Sequence, residues 1–156
     1  SGLLYQFVRN KEQLFEVVVE ELMRDWVRAL VPRGDAARGR ASQRLEAMLR
    51  GSGDFCRTNP LLPALLTRDR ALQLDRFKNL STDRLYAYRD LVARVLSEGV
   101  RGGEFRADLD VPSAADIVCQ LQAEYSSRAY RQDPMFPSAP HLIDSLVRFI
   151  RDALRP

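Results

Sequence analysis

Histidine is almost absent from this sequence: His141 is the only one in 156 residues. A multi-histidine metal site within one chain is therefore excluded, and a Ser-His-acid triad would have to use this one residue. His141 stands at the start of the last helical stretch, beside a loop, and reads as a surface or interface residue. The two cysteines, Cys56 and Cys119, match no metal-ligand spacing. They are expected as free, buried thiols in a reducing cytoplasm. No glycine-rich phosphate loop is present, because "GSGDF" at 51–55 lacks both a preceding strand and the Lys-Ser/Thr ending that binds phosphate. No secretory signal is visible, and the longest apolar run, "LLPALL" at 61–66, is too short to cross a bilayer. Neither a metal nor a cofactor is called for, and no spacing of catalytic groups points to an enzyme.

What is present is an ordinary globular composition, 46% hydrophobic and 29% charged, with eight glycines and eight prolines. The formal charge of +3 is unevenly spread. Residues 1–78 hold fourteen basic and ten acidic side chains, while residues 79–156 hold ten and eleven. Any nucleic-acid contact is therefore expected near the N-terminus.

Apolar residues recur at three- and four-residue spacing, and no period-2 run of β-branched residues appears, which predicts an all-α chain of six helices. The first runs from about Lys11 to Leu30, with Asn10 as N-cap and Gln13 completing a capping box. Its buried stripe is predicted as Leu14, Phe15, Val18, Leu22, Trp26 and Leu30, and Pro32 and Gly34 are expected to end it. A basic loop follows, then a helix to about Thr58 that Gly51 and Gly53 interrupt. Close helix packing or room for a bulky neighbour would each explain those glycines. Asn59-Pro60 reads as the start of a short helix to about Leu72. The next helix, about Leu74 to Val100, buries Phe77, Leu85, Tyr88, Leu91, Val92, Val95 and Leu96, and "RGGEF" at 101–105 stops it. Asp110 or Ser113 caps a helix reaching about Tyr130 through Ile117, Val118, Leu121 and Tyr125. The last helix, about Ala139 to Leu154, carries Leu142, Ile143, Leu146, Val147, Phe149 and Ile150. That apolar face is wider than one core contact needs, so a second packed side is expected, with another subunit as one candidate.

Two stretches carry a resemblance to a known family. "SGLLYQFVRNKEQL" at 1–14 resembles the end of the helix-turn-helix in TetR-family transcriptional regulators. There the recognition helix closes on glycine, a short residue, Leu and Tyr, and a Lys-Glu pair opens the next helix after a brief turn. The matching positions here are Gly2, Leu3, Leu4, Tyr5, Gln6 and Phe7, then Val8, Arg9, Asn10, Lys11 and Glu12. Leu3 stands where many members have a small polar residue, and Val8 where many have Phe. "VLSEGVRGGEFRADLDVPSAADIV" at 95–118 is similar to the link between two later helices of that family.

The resemblance implies a DNA-binding remnant over residues 1–30 and an effector-binding and dimerisation domain over 31–156. It also implies that two helices and most of a third precede Ser1. Ser1, Gly2, Leu3, Tyr5 and Gln6 would face DNA, with Leu4 and Val8 packed inward. Tyr5 can donate its hydroxyl to a phosphate, and Lys11 sits at the positive end of the following helix, a natural anion site. Lys11 is one of only two lysines among twenty-four basic residues.

By the same resemblance a small-molecule effector, apolar or aromatic, would lie within the bundle. Its expected walls are Trp26, Met48, Phe55, Leu62, Leu65 and Tyr88, with Arg89, Gln120, Glu124 and Tyr125 as polar contacts. The last two long helices would pair with their two-fold mates through Ile117, Leu121, Leu142, Leu146, Phe149 and Ile150. The whole would be a cytoplasmic homodimer with no membrane role, acting as a repressor on a palindromic double-stranded operator and released when the effector binds. The alternative is an all-α interaction or adaptor module without DNA binding.

Overall fold

The structure, a computed structural model, describes residues 11–35, 39–66, 82–130 and 141–156. Among these residues there are six helices and no strand: α1 (Lys11–Asp35), α2 (Ala41–Thr58), α3 (Leu61–Leu66), α4 (Thr82–Arg101), α5 (Val111–Tyr130) and α6 (Leu142–Leu154). The expected all-α fold is the observed one. The predicted helical stretches at 67–72 and 74–81, with Phe77, lie outside the described residues, as do 1–10 and 131–140.

One helix organises the bundle: α2 packs against each of the other five. A helix so enclosed needs small residues where its neighbours approach closest, and Gly51, Ser52 and Gly53 are all buried in its second half. A Cβ on Gly53 would sit 3.3 Å from Cγ1 of Ile143, so α6 lies almost against the α2 backbone there. The two glycines do not break the helix, which is continuous from Ala41 to Thr58. Close packing explains Gly53.

Four local expectations are corrected, one of them at Leu85, which is 37% exposed on α4 instead of buried. The buried stripe of α1 is Val19, Met23, Trp26 and Leu30, while Val18 is 43% exposed and Leu14, Phe15 and Leu22 are half-buried. Helix α1 also runs on to Asp35 through Pro32 and Gly34. A proline there removes one ladder donor close to the helix end without forcing the backbone out of helical geometry. Asn59 closes α2 instead of opening α3: its backbone N–H and its Nδ2 both donate to the carbonyl of Phe55, each at 3.0 Å. The carbonyl of Asn59 then accepts from Leu62 N–H, which joins the two helices through one residue.

The link from α4 to α5 is tightly built. Gly103 takes φ +70°, the left-handed conformation that favours glycine. Gly99 lets the Phe105 ring lie on the α4 backbone, since a Cβ at that position would come within 2.1 Å of Cδ2 of Phe105. Glu104 then reaches the start of α2. Its Oε1 accepts from Ala41 N–H at 2.9 Å, and its Oε2 accepts from Ser42 N–H at 3.1 Å and from the Ser42 hydroxyl at 2.7 Å. A remote carboxylate thus does what an N-cap side chain ordinarily does. Asp110 caps α5 as expected, accepting from Ser113 N–H at 3.3 Å and from its hydroxyl at 2.6 Å.

Candidate functional site

Four of the helices meet in one chain of contacts. From α1, the Trp26 indole N–H donates to the Ser52 hydroxyl of α2 at 3.2 Å. The Trp26 ring lies against Tyr88 of α4, with centroids 4.7 Å apart and planes tilted by 48°. The Tyr88 hydroxyl donates to Oε1 of Gln122 on α5. All four side chains are buried, with Ser52 and Gln122 each 1% exposed. Nε2 of Gln122 has no hydrogen-bond partner among the described residues.

The electrostatic setting is that of a neutral interior. Ser52 and Gln122 are the buried polar residues among those described, and no charged side chain joins them. Burial pushes the Tyr88 phenol up, Cys119 adds to that, and the Gln122 hydrogen bond pulls the other way with less effect. Burial likewise pushes the thiols of Cys56 and Cys119 up to about 12. All three groups stay uncharged near neutral pH. Both cysteines are free, as expected. The arrangement offers a hydrophobic setting, two aromatic rings and a few fixed polar atoms, and no group poised to transfer a proton or attack a carbonyl. No set of three or more metal-ligating side chains converges among the described residues.

The expected effector residues divide clearly. Trp26, Met48, Leu62 and Tyr88 are in the buried core, and Trp26 and Tyr88 touch. Phe55 and Tyr125 are half-buried against it, and Leu65 falls within α3. Arg89 is half-buried, with its guanidinium bound to Asp116. Gln120 and Glu124 are exposed, and Glu124 pairs with Arg128 along the helix. Sequence reasoning passed over Ser52 and Gln122. The signal for Gln122 is its register: it follows Ala115 and Val118 by seven and four residues, on the face that α5 buries. Gln120 lies two residues away, about 200° around the helix.

Of the residues expected at a dimer contact, Ile117 is 58% and Phe149 65% exposed, while Leu121 and Leu142 are half-buried. Leu146 and Ile150 are buried in the chain's own core. Of those expected to meet DNA, Ser1, Gly2, Leu3, Tyr5 and Gln6 lie outside the described residues, and Lys11 is the first residue of α1. A separate surface groove of about 370 Å³ lies between α2 and α6. Its Arg50 is held by Glu46 at 2.9 Å and by Asp144.

A helical bundle with an uncharged, hydrogen-bonded centre among the described residues defines an all-α domain. The architecture is that of a known regulator. The chain is similar, at 19% identity and a TM-score of 0.75, to a solved transcriptional regulator of the TetR/AcrR family from Thermobifida fusca YX-ER1. The likeness covers 99% of this chain and 80% of that one. No family model and no curated protein matches the sequence. The chain therefore has the TetR/AcrR-type all-α fold. No described helix is long and apolar enough to cross a membrane.

Proposed function

We propose that this chain is the effector-binding and dimerising part of a DNA-binding transcriptional regulator, a cytoplasmic repressor that leaves a palindromic operator when a small molecule binds. The observation that carries the reading is the fold likeness over 99% of the chain, joined to a segment at 2–12 that resembles the close of a recognition helix. Residues 1–30 then belong to the DNA-binding side and 31–156 to the effector and dimer side.

The geometry supports a route between the two. Helix α1 begins at Lys11 and carries Trp26 into the central contacts. The two residues stand about 22 Å apart along one helix. A ligand that favours one arrangement of Trp26, Tyr88 and Gln122 would tilt α1 and with it the DNA-reading element. Only a ligand with different affinities for the two arrangements would shift operator binding.

The test uses the full-length protein and a duplex selected from random sequences. Operator binding is expected to weaken steeply as salt rises. In gel-shift titrations Lys11→Ala should weaken binding to selected and unselected duplexes alike and flatten the salt slope by about one ion. A Lys11→Ala protein indistinguishable from wild type across the salt series would remove Lys11 from the interface.

A further inference from the structure

The groove between α2 and α6 has a volume of about 370 Å³ and opens to solvent, room for a small molecule. Val147 is the one apolar side chain in its lining among the described residues, and it is itself buried. An aromatic or apolar ligand therefore finds little to pack on there. Helix α6 turns Asp144, Arg148 and Arg151 into the groove at i, i+4 and i+7 spacing. Phe149 lies about 200° around the helix from Arg151, so the groove and the exposed Phe149 occupy different flanks of α6.

The charges in the groove are unevenly matched. Arg50 of α2 is held between two carboxylates, its Nε donating to Oε1 of Glu46 at 2.9 Å and its Nη1 to Oδ1 of Asp144. Arg148 acts on Asp144 through its charge, and makes no ion pair of its own among the described residues. Arg151 reaches Asp152 only at 3.9 Å, and Asp152 lies closer to Arg155, at 3.3 Å. Two guanidiniums are thus left without a close counter-charge. Three residues apart on one helix, they stand about 5–6 Å from each other at Cβ and can close on one oxyanion from two sides.

The carboxylates set a second requirement. Oε2 of Glu46 and Oδ2 of Asp144 accept no hydrogen bond among the described residues. Such oxygens repel a second anionic group, while Arg50, lying between the two acids, repels an ammonium. A hydroxyl meets neither objection, because it is neutral and donates to them. Ser145, also in the lining, adds a hydroxyl that can donate or accept.

We propose that this groove is a ligand site for a phosphorylated sugar or polyol, with the phosphate between Arg148 and Arg151 and the hydroxyls against Glu46, Asp144 and Ser145. The site is distinct from the buried Trp26–Tyr88 contacts and stands independently of the regulator reading.

Titration calorimetry of the full-length protein tests it with glucose 6-phosphate, inorganic phosphate, succinate and glucose. The measurement is made at low salt and pH ~7.5, where a phosphate monoester is mostly a dianion. Glucose 6-phosphate should bind with a Kd of about 0.1–1 mM, at least roughly fivefold tighter than phosphate or succinate, and glucose should show no binding. Arg148→Gln with Arg151→Gln, both exposed, should weaken glucose 6-phosphate by about tenfold or more. Arg28→Gln with Arg57→Gln, an equal loss of charge outside the lining, should change it by less than about twofold. Glu46→Gln removes an acceptor and a negative charge, so phosphate should bind as tightly or tighter while the preference for the sugar phosphate narrows to about twofold. No binding of glucose 6-phosphate, equal affinity for inorganic phosphate, a preference for succinate, or equal losses in the two double variants would overturn the proposal.

Discussion

Tyr88 and Gln122 form a pair whose members depend on each other more than the fold depends on either. Removing the Tyr88 hydroxyl leaves both polar atoms of the Gln122 amide buried without partners, so Tyr88→Phe should cost about 1–3 kcal/mol. Adding Gln122→Met removes the amide as well, and the double variant should return to within about 1 kcal/mol of wild type. A double-mutant cycle by urea denaturation measures this, and simple additivity of the two losses would refute the coupling. Glu104 gives a second test at this scale. Desolvation pushes its carboxyl up, but the hydrogen bonds from Ser42 and Ala41 together outweigh it and hold the carboxyl below its ordinary value. The folded state therefore binds that proton less readily than the unfolded chain. Its stabilisation is fully present above the unfolded value of 4.5 and is lost as pH falls through the folded value. Glu104→Gln should be less stable than wild type at pH 7 by about 1–2 kcal/mol, and the gap should close as pH falls from 4.5 through the lower folded value. A gap that stays constant with pH would mean the carboxylate charge contributes nothing. The burial of Trp26 and Tyr88 was legible because large aromatics on apolar stripes seldom lie elsewhere than in a core. Gln122 was not, because stripe counting scores apolar residues and passes over a polar one in the same register.

The elements themselves were legible to within a turn at most of the ends the structure describes, and the exceptions have physical causes. Helix α1 carries two overlapping apolar registers, one through Leu14, Val18 and Leu22 and another through Val19, Met23, Trp26 and Leu30, separated by about 100°. Both satisfy helical periodicity, and only the positions of α2 and α4 decide which is buried. Pro32 and Gly34 were read as a stop, yet helical backbone continues through both, a case of tertiary context overriding propensity. The stop at the α4–α5 turn was legible, since "RGGEF" supplies the glycine that takes positive φ at Gly103; the packing of Phe105 on Gly99 and the reach of Glu104 to α2 were not, because both depend on tertiary neighbours. This turn is also where one methyl group matters most. Gly99→Ala would drive its Cβ into the Phe105 ring, which is 4% exposed and has little room to move. We expect a loss of about 1–3 kcal/mol, read as a lower denaturation midpoint at unchanged m-value. Gly99→Ala at wild-type stability would show that Phe105 repacks freely.

At the scale of the molecule, the last two helices leave two large apolar side chains exposed among those described. Ile117 on α5 and Phe149 on α6 are 58% and 65% exposed, although the two helices pack together and Val118, Leu146 and Ile150 are buried. The wide apolar face of the last helix was visible in the sequence, but which part served the chain's own core was not. The structure separates Leu146 and Ile150, already buried, from Phe149, which is exposed and, in the proposed dimer, would meet the second copy. In a two-fold interface each substitution counts twice. If covering one such side chain contributes about 2 kcal/mol per copy, Phe149→Arg weakens a dimer by about 4 kcal/mol, or roughly a thousandfold in Kd. The monomer should be nearly unaffected, because the residue is exposed within it. Sedimentation equilibrium should therefore show wild-type protein as a dimer and Phe149→Arg as a folded monomer at micromolar concentration. On the proposed reading as a dimeric regulator, operator affinity should fall with it, since that reading has two recognition helices one turn of DNA apart held by the same interface. A Phe149→Arg protein that dimerises as tightly as wild type would move the interface off this face, and the spacing of the DNA-reading elements would then have to be set by another surface of the bundle.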